Sequence, residues 1–212
     1  MMQLDKMSFL REHFRLQDFQ LLQSLSQSFE IREVDKKEIL HQIGLPHPSI
    51  DFLVEGLFRG FFLDRAGKEI TDCFVFRPGT PIVSCLELGE PSFISTEAME
   101  PSTILSIPLE QVNELMPYPE ILGLYIRFLR ESLLRHWENK IMLAQYTAKD
   151  RYTWFLEKYP GVIDRVNHRY VASFLGITPV TLARIRRAGK DAKLETMNSN
   201  AIKKASEEGT LL

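Results

Sequence analysis

The sequence predicts an α+β chain of two domains: an N-terminal antiparallel β jelly-roll, a long helix, and a C-terminal helix-turn-helix. Three observations predict it. Between residues 28 and 107, short apolar and β-branched runs recur between turn signals at spacings of about 8–12 residues. Between 118 and 144, apolar residues recur every three to four positions without a break. Between 170 and 187, two short amphipathic stretches flank a glycine and a Thr-Pro pair.

Residues 4–28 read as short amphipathic helices carrying Phe9, Leu10 and Phe14, then Phe19, Leu21, Leu22 and Leu25, with Gln17-Asp18 as a helix start. Strands are expected near 28–34, 38–42, 50–55, 57–64, 69–75, 82–84, 92–98 and 102–107. Asp64 to Lys68 is a hairpin turn in which Gly67 supplies the positive φ, and Glu55-Gly56 and Pro78-Gly79 are further turns. Many short strands without alternating helices imply an antiparallel barrel or sandwich of jelly-roll type.

Residues 108–116 read as a short helix, and Tyr118 to about Ala144 as a long one. Its stripe is Leu122, Ile126, Leu129, Leu133, Trp137, Ile141 and Ala144, widened by Tyr125, Phe128 and Leu134. A small barrel cannot cover both sides of such a helix. Ile126, Leu129, Leu133, Trp137 and Ile141 are therefore expected to pack on a two-fold copy in a parallel homodimer. The alternative is a helix docked wholly on its own barrel. A further helix, Ala148 to Lys158, ends where Pro160 halts it, and Arg165 to Leu175 leads into the last helix pair.

That pair is YVASFLGITPVTLARIRR, Tyr170 to Arg187. Tyr170, Val171, Phe174 and Leu175 share one helix face. Gly176 stops the helix, because only glycine takes a left-handed helix-end conformation without steric cost. Ile177 is a plug, Thr178 an N-cap, and Pro179 occupies the first helical position. Leu182 and Ile185 point inward, leaving Val180, Thr181, Arg184, Arg186 and Arg187 outside. Two helices around a glycine turn, the second edged with arginine, make a helix-turn-helix, whose second helix enters the DNA major groove. A helical hairpin with merely solvated arginines is the plainer reading.

Charge distribution favours the first. Residues 1–144 hold 14 Lys+Arg against 21 Asp+Glu, a balance of −7, whereas residues 145–190 hold 9 against 3, a balance of +6. A basic module on an acidic body is expected when one part meets phosphate. The 44% hydrophobic and 25% charged content is that of an ordinary globular protein. There is no long apolar run and no basic-then-apolar start, so a cytoplasmic protein without membrane contact is expected. Cys73 and Cys85 cannot supply four thiolates to a cluster or zinc site, and both read as buried reduced thiols.

Tyr170 to Arg187 is also similar, nearly throughout, to the DNA-reading helices of Crp/Fnr-type transcription regulators, in particular the Bacteroidetes-type branch with a phrase close to I-A-S-Y-L-G-I-T-P-E-T-L-S-R-I-R. Arg151 to Val166, RYTWFLEKYPGVIDRV, resembles that branch's lead-in helix, and the likeness extends more weakly over residues 10–145. The resemblance implies a cyclic nucleotide-binding-like effector domain at 1–117, a dimerisation helix at 118–145, a helix-turn-helix domain at 146–190 and a tail at 191–212. Thr178, Thr181 and Arg184 would read bases, beside Pro179, and Arg186, Arg187 and His168 would hold phosphate. Val180 stands where the family usually has glutamate, so it offers only apolar contact, for instance to a thymine methyl. The family's β-wing has no counterpart in DAKLETMNSNAIKKASEEGTLL.

In cyclic-nucleotide-binding relatives, a Gly-Glu pair holds the ribose and an Arg-Ser/Thr pair the phosphate. Val83-Ser84 and Pro91-Ser92 stand at those positions, and no Lys or Arg lies between Arg77 and Arg127, so cyclic AMP and cyclic GMP are not expected. The expectation is a homodimeric, sequence-specific regulator that binds double-stranded DNA and an unidentified small effector, with RNA polymerase as a further candidate partner and no cofactor. Two other classes stand beside it: a ligand-binding module with a degenerate DNA domain, and a cupin-like metalloenzyme. Cupins need clustered histidines and a glutamate, whereas His41 and His47 read as exposed loop residues and His136 as a packing or surface residue of the long helix. No Ser/His/Asp or Cys/His constellation and no Gly-rich phosphate loop is present, so no enzyme is expected.

Overall fold

The computed structural model describes residues 4–82, 84 and 89–189. The chain begins with α1 (Lys6–Phe9), which runs into a π-helical turn (Leu10–Phe14), and α2 (Phe19–Ser28). The Asp18 carboxylate caps α2 by accepting the Leu21 N–H at 2.7 Å. Among the described residues seven strands follow: β1 (Glu30–Val34), β2 (Ile39–His41), β3 (Ser49–Glu55), β4 (Phe58–Leu63), β5 (Glu69–Val75), β6 (Ser95–Ala98) and β7 (Ser102–Pro108). All strand pairs are antiparallel. They form one sheet in the order β1-β7-β3 and a second in the order β2-β6-β4-β5.

Strand alternation builds two cores from the first sheet. Leu53 of β3 and Ile104 of β7 face the second sheet, with Val34, Leu40, Phe58 and Ala98. Their neighbours Phe52 and Leu105 face the other way, onto Phe9, Phe14, Leu22 and Phe29. Two strands begin well inside their expected bounds. β1 starts at Glu30 because Phe29 still closes α2, donating its N–H to Leu25 O. β6 starts at Ser95 because the Ser92 and Phe93 N–H groups go to Leu45 O and Ser84 O instead of a ladder. The expected strand at 82–84 includes Val83, outside the described residues. The expected turn at Gly67 is present, with φ +78°.

After β7 come α3 (Leu109–Leu115) and α4 (Pro119–Gln145). Ile121, Leu124 and Phe128 pack on the first sheet's outer core. The opposite stripe is exposed: Leu122, Ile126, Leu129 and Ile141, with Leu133 at 59% and Trp137 at 52%. An apolar row of this length in water is unusual for a monomer. No described helix is long and apolar enough to cross a membrane.

The C-terminal part comprises α5 (Ala148–Lys158), α6 (Val162–Arg165), α7 (His168–Phe174) and α8 (residues 179–189). The lead-in from Arg165 is not continuous helix: Val166 and Asn167 are extended, and Asn167 caps α7 through the Arg169 N–H at 3.0 Å. These helices share one core with the barrel: Phe155, Val162, Val171, Phe174, Leu175 and Leu182 pack with Leu57, Phe74 and Met99. Phe155 is fully buried, stacked on Tyr159 with ring centroids 5.1 Å apart and tilted against Phe174 at 5.7 Å. Phe155→Ala is therefore expected to lower unfolding stability by about 3–5 kcal/mol. Urea denaturation checks this, and a loss under about 1 kcal/mol, below any core Phe→Ala cost, would contradict the shared core.

Candidate nucleic-acid interface

Local sequence sets the angle between α7 and α8. Gly176 adopts φ +63°, the Ile177 N–H reaches Ala172 O at 3.0 Å, and the Gly176 N–H reaches Ser173 O at 3.0 Å. These two bonds close a Schellman turn on α7. A Cβ on Gly176 would meet Arg151 Nη1 at 3.2 Å and Leu143 Cδ2 at 3.3 Å, so both dihedral and space call for glycine. Arg151, absent from the expected site residues, donates to Tyr146 O at 3.0 Å, Leu143 O at 2.8 Å and Leu175 O at 3.0 Å. It ties the end of α4 to the end of α7. No local pattern announces this, because its acceptors are backbone carbonyls at the ends of two different helices.

Thr178 caps α8 as expected: its Oγ1 accepts the Thr181 N–H at 3.0 Å and lies 2.9 Å from Thr181 Oγ1. Leu182 is buried and Ile185 half-buried, which turns the other face outward. Thr178, Pro179, Val180, Arg184 and Arg187 are exposed, Val180 at 79%, while Thr181 and Arg186 are half-exposed. Arg186 Nη1 donates to the His168 imidazole, 2.6 Å from Nε2, so these two side chains meet at the edge of the helix pair. Among the described residues, none of Arg184, Arg186 and Arg187 makes an ion pair. The tail 191–212, where no wing is expected, lies outside the described residues.

α7 is held against the barrel by a buried cation. Arg59 on β4 is fully buried, bonded to Glu69, 3.6 Å from Glu97, and lies 4.3 Å from the centroid of Phe61 and 3.8 Å from that of Tyr170. The Thr71 N–H of edge strand β5 donates to Ser173 Oγ at 3.0 Å, so α7 covers that edge. Arg165 adds an ion pair to Glu100 and a bond to Gly56 O at 2.8 Å.

A cavity of about 800 Å³ lies between barrel, α4 and α5. Phe14, Phe29, Phe52 and Phe128 line one part, and Leu129, Leu133, Trp154 and Tyr159 another. Arg77 and Arg135 reach its wall from outside the cation-free segment. Of the expected effector residues, Ser84 lines the cavity and its Oγ lies 3.0 Å from that of Ser92, both buried. Pro91 is exposed, and Val83 lies outside the described residues. Cys73 opens onto the cavity, and burial first, then the neighbouring Asp72 charge, pushes its thiol up to about 12, which keeps it protonated and inert. Cys85 lies outside the described residues.

The histidines differ from expectation. His41 is buried, not an exposed loop residue, and its Nε2 lies 3.0 Å from Asp51 Oδ2. His47 Nε2 lies 2.6 Å from the same oxygen, and the two rings are 3.6 Å apart between centroids. Burial pulls His41 below its ordinary value, which leaves a neutral imidazole. Asp51, against the cost of burial, is held well below the usual carboxylate range by bonds from His41, His47 and Ser106. The sequence hid this trio because β2 and β3 lie in different sheets.

The arrangement has close parallels among solved structures. FixK2 from Bradyrhizobium japonicum superposes with a TM-score of 0.69 at 17% identity, over 80% of this chain and 86% of that one. The c-di-GMP-responsive global regulator CLP of Xanthomonas campestris gives 0.67 at 13% identity, over 84% and 94%. A Crp/Fnr-family transcriptional regulator of Thermus thermophilus gives 0.60 at 20% identity, over 77% and 86%. The chain has the Crp/Fnr fold. No protein-family model matches the chain, and no curated protein does. Within this fold, barrel, long helix and helix-turn-helix follow in the expected order. Gly176→Ala is expected to cost about 1–2 kcal/mol through left-handed strain. A denaturation midpoint unchanged from the parent would contradict the role given to that turn.

Proposed function

We propose that this chain is a sequence-specific DNA-binding transcription regulator of the Crp/Fnr type, acting as a homodimer. The observation that carries this is the outward face of α8, where Thr178, Val180, Arg184 and Arg187 stand exposed on a capped helix whose opposite side is locked into the core. Such a helix fits the major groove, with its first turns at base edges. Thr178 and Thr181 share their hydroxyls in the cap, so Arg184 carries most of the base reading, and Val180 adds apolar contact. Arg186, Arg187 and His168 sit where phosphates flank the groove. RNA polymerase is a natural further partner of such a regulator.

The division into effector domain (1–117), dimer helix (118–145), DNA-binding domain (146–190) and tail (191–212) belongs to this proposal. Homodimerisation is supported by the exposed row Ile126, Leu129, Leu133, Trp137 and Ile141, which a two-fold copy of α4 would cover. The cavity supports a small-molecule effector with a largely apolar body, given its phenylalanine and leucine walls. Cyclic AMP suits it poorly, since Ser84 and Ser92 bond to each other where a phosphate would need an arginine fork.

Fluorescence anisotropy on a preferred duplex and on a scrambled one tests the reading. Arg184→Ala is expected to lose about 1–3 kcal/mol on the preferred duplex and little on the scrambled one. Arg187→Ala should weaken both alike and reduce the salt slope by about 1. Equal losses on both duplexes for Arg184→Ala would contradict its assignment to base edges.

A further inference from the structure

We propose that His41, His47 and Asp51 form a site for one divalent first-row transition-metal ion in the wall of the barrel cavity. The three residues come from the end of β2, the connecting loop and the start of β3. Their donor atoms all lie within 4.8 Å of one another. Nε2 of His41 and Nε2 of His47 stand 3.0 Å and 2.6 Å from one carboxylate oxygen. Donors held about 2.0–2.2 Å from a metal lie about 3–3.5 Å apart along the edges of its coordination shell, so an ion would replace the protons these atoms share now with an opening of the trio of about 1 Å or less. Two imidazoles and a carboxylate suit zinc, iron, cobalt or manganese over calcium or magnesium.

Two features suit the trio to an ion. Asp51 is wholly buried, and among the described residues its only ion-pair partners are these two imidazoles, so its charge lacks a permanent cation. The carboxylate is oriented independently of any ion: Asp51 Oδ1 accepts from Ser106 Oγ and, at 3.3 Å, from Ser49 Oγ. Outer bonds of that kind hold a ligating carboxylate in place.

The site also has room. His41, His47 and Ser49 line the cavity, so coordination positions that the protein leaves open have the cavity to open into. The loop that carries His47 bonds on its other side to Ser92, through Gly44 N to Ser92 O at 2.8 Å and Ser92 N to Leu45 O at 2.9 Å. An ion clamped between His47 and Asp51 would thus fix the segment beside the Ser84–Ser92 pair. None of this depends on whether α8 reads DNA.

The test uses the full chain, stripped with EDTA and titrated with Co²⁺ by visible absorption, then loaded with Zn²⁺, desalted and assayed for metal. One equivalent per chain is expected, with affinity reduced at least tenfold in His47→Gln and in Asp51→Asn. His47 lies in a loop and glutamine keeps an N–H to offer Asp51, so His47→Gln should still unfold in one cooperative transition, which guards against misfolding as the cause of loss. Absence of stoichiometric binding, or binding unchanged in His47→Gln, would overturn the site. A thiolate-to-cobalt charge-transfer band would place the ion on a cysteine and would overturn it as well.

Discussion

A buried guanidinium joins the barrel to the helix-turn-helix. Arg59 leaves the barrel surface between Phe61 and Tyr170, with Glu69 and Glu97 as its counter-charges. A cation fully removed from water is tolerated only with such partners, and loss of its carboxylates would leave the guanidinium charged and buried. Tyr170 belongs to α7, so the cluster fixes the first helix of the pair on the outer side of the second sheet. Phe74, Phe155, Tyr159 and Phe174 extend the same contact as an aromatic core with ring centroids 5.1–6.2 Å apart. Once α7 is fixed, the Schellman turn at Gly176 sets α8, and burial of Leu182 decides which of its residues face outward.

The long helix connects everything else. One side of α4 closes the phenylalanine core over the first sheet, its end is tied by Arg151 to the helix-turn-helix, and its remaining side is an uncovered apolar row. Leu129 and Leu133 belong both to that row and to the cavity wall. A ligand in the cavity therefore touches the same helix that a second copy would cover. In a packed interior such contacts shift as discrete repackings, which gives the cavity a physical route to helix geometry.

Much of this was legible in the sequence wherever the signal was local. Gly176, Thr178 and Pro179 act through their own dihedrals and caps, so the turn and the start of α8 could be read directly. Pro160, Gly67 and the period of α4 are signals of the same kind. Strand ends were less legible, because Ser92 and Phe93 bond to residues of other loops and no period-2 pattern reveals that. Interactions built by the fold were not legible. Arg59 reads as an ordinary strand arginine until β5, β6 and α7 surround it, and Arg151 until three carbonyls converge on it. His41 and His47 flank Gly44 and Pro46 in a stretch that looks like an exposed loop, and only the pairing of β2 and β3 with different sheets turns both rings onto Asp51.

In the proposed dimer, a rigid core presents α8 of two copies to one duplex. Selection of bound sequences from a random duplex pool by the full-length protein, followed by sequencing, tests it most directly. Enrichment of a two-fold symmetric site is expected, with half-sites centred about 10 base pairs, or a multiple of that, apart. An enriched pool without dyad symmetry, or no enrichment over the input, would contradict it.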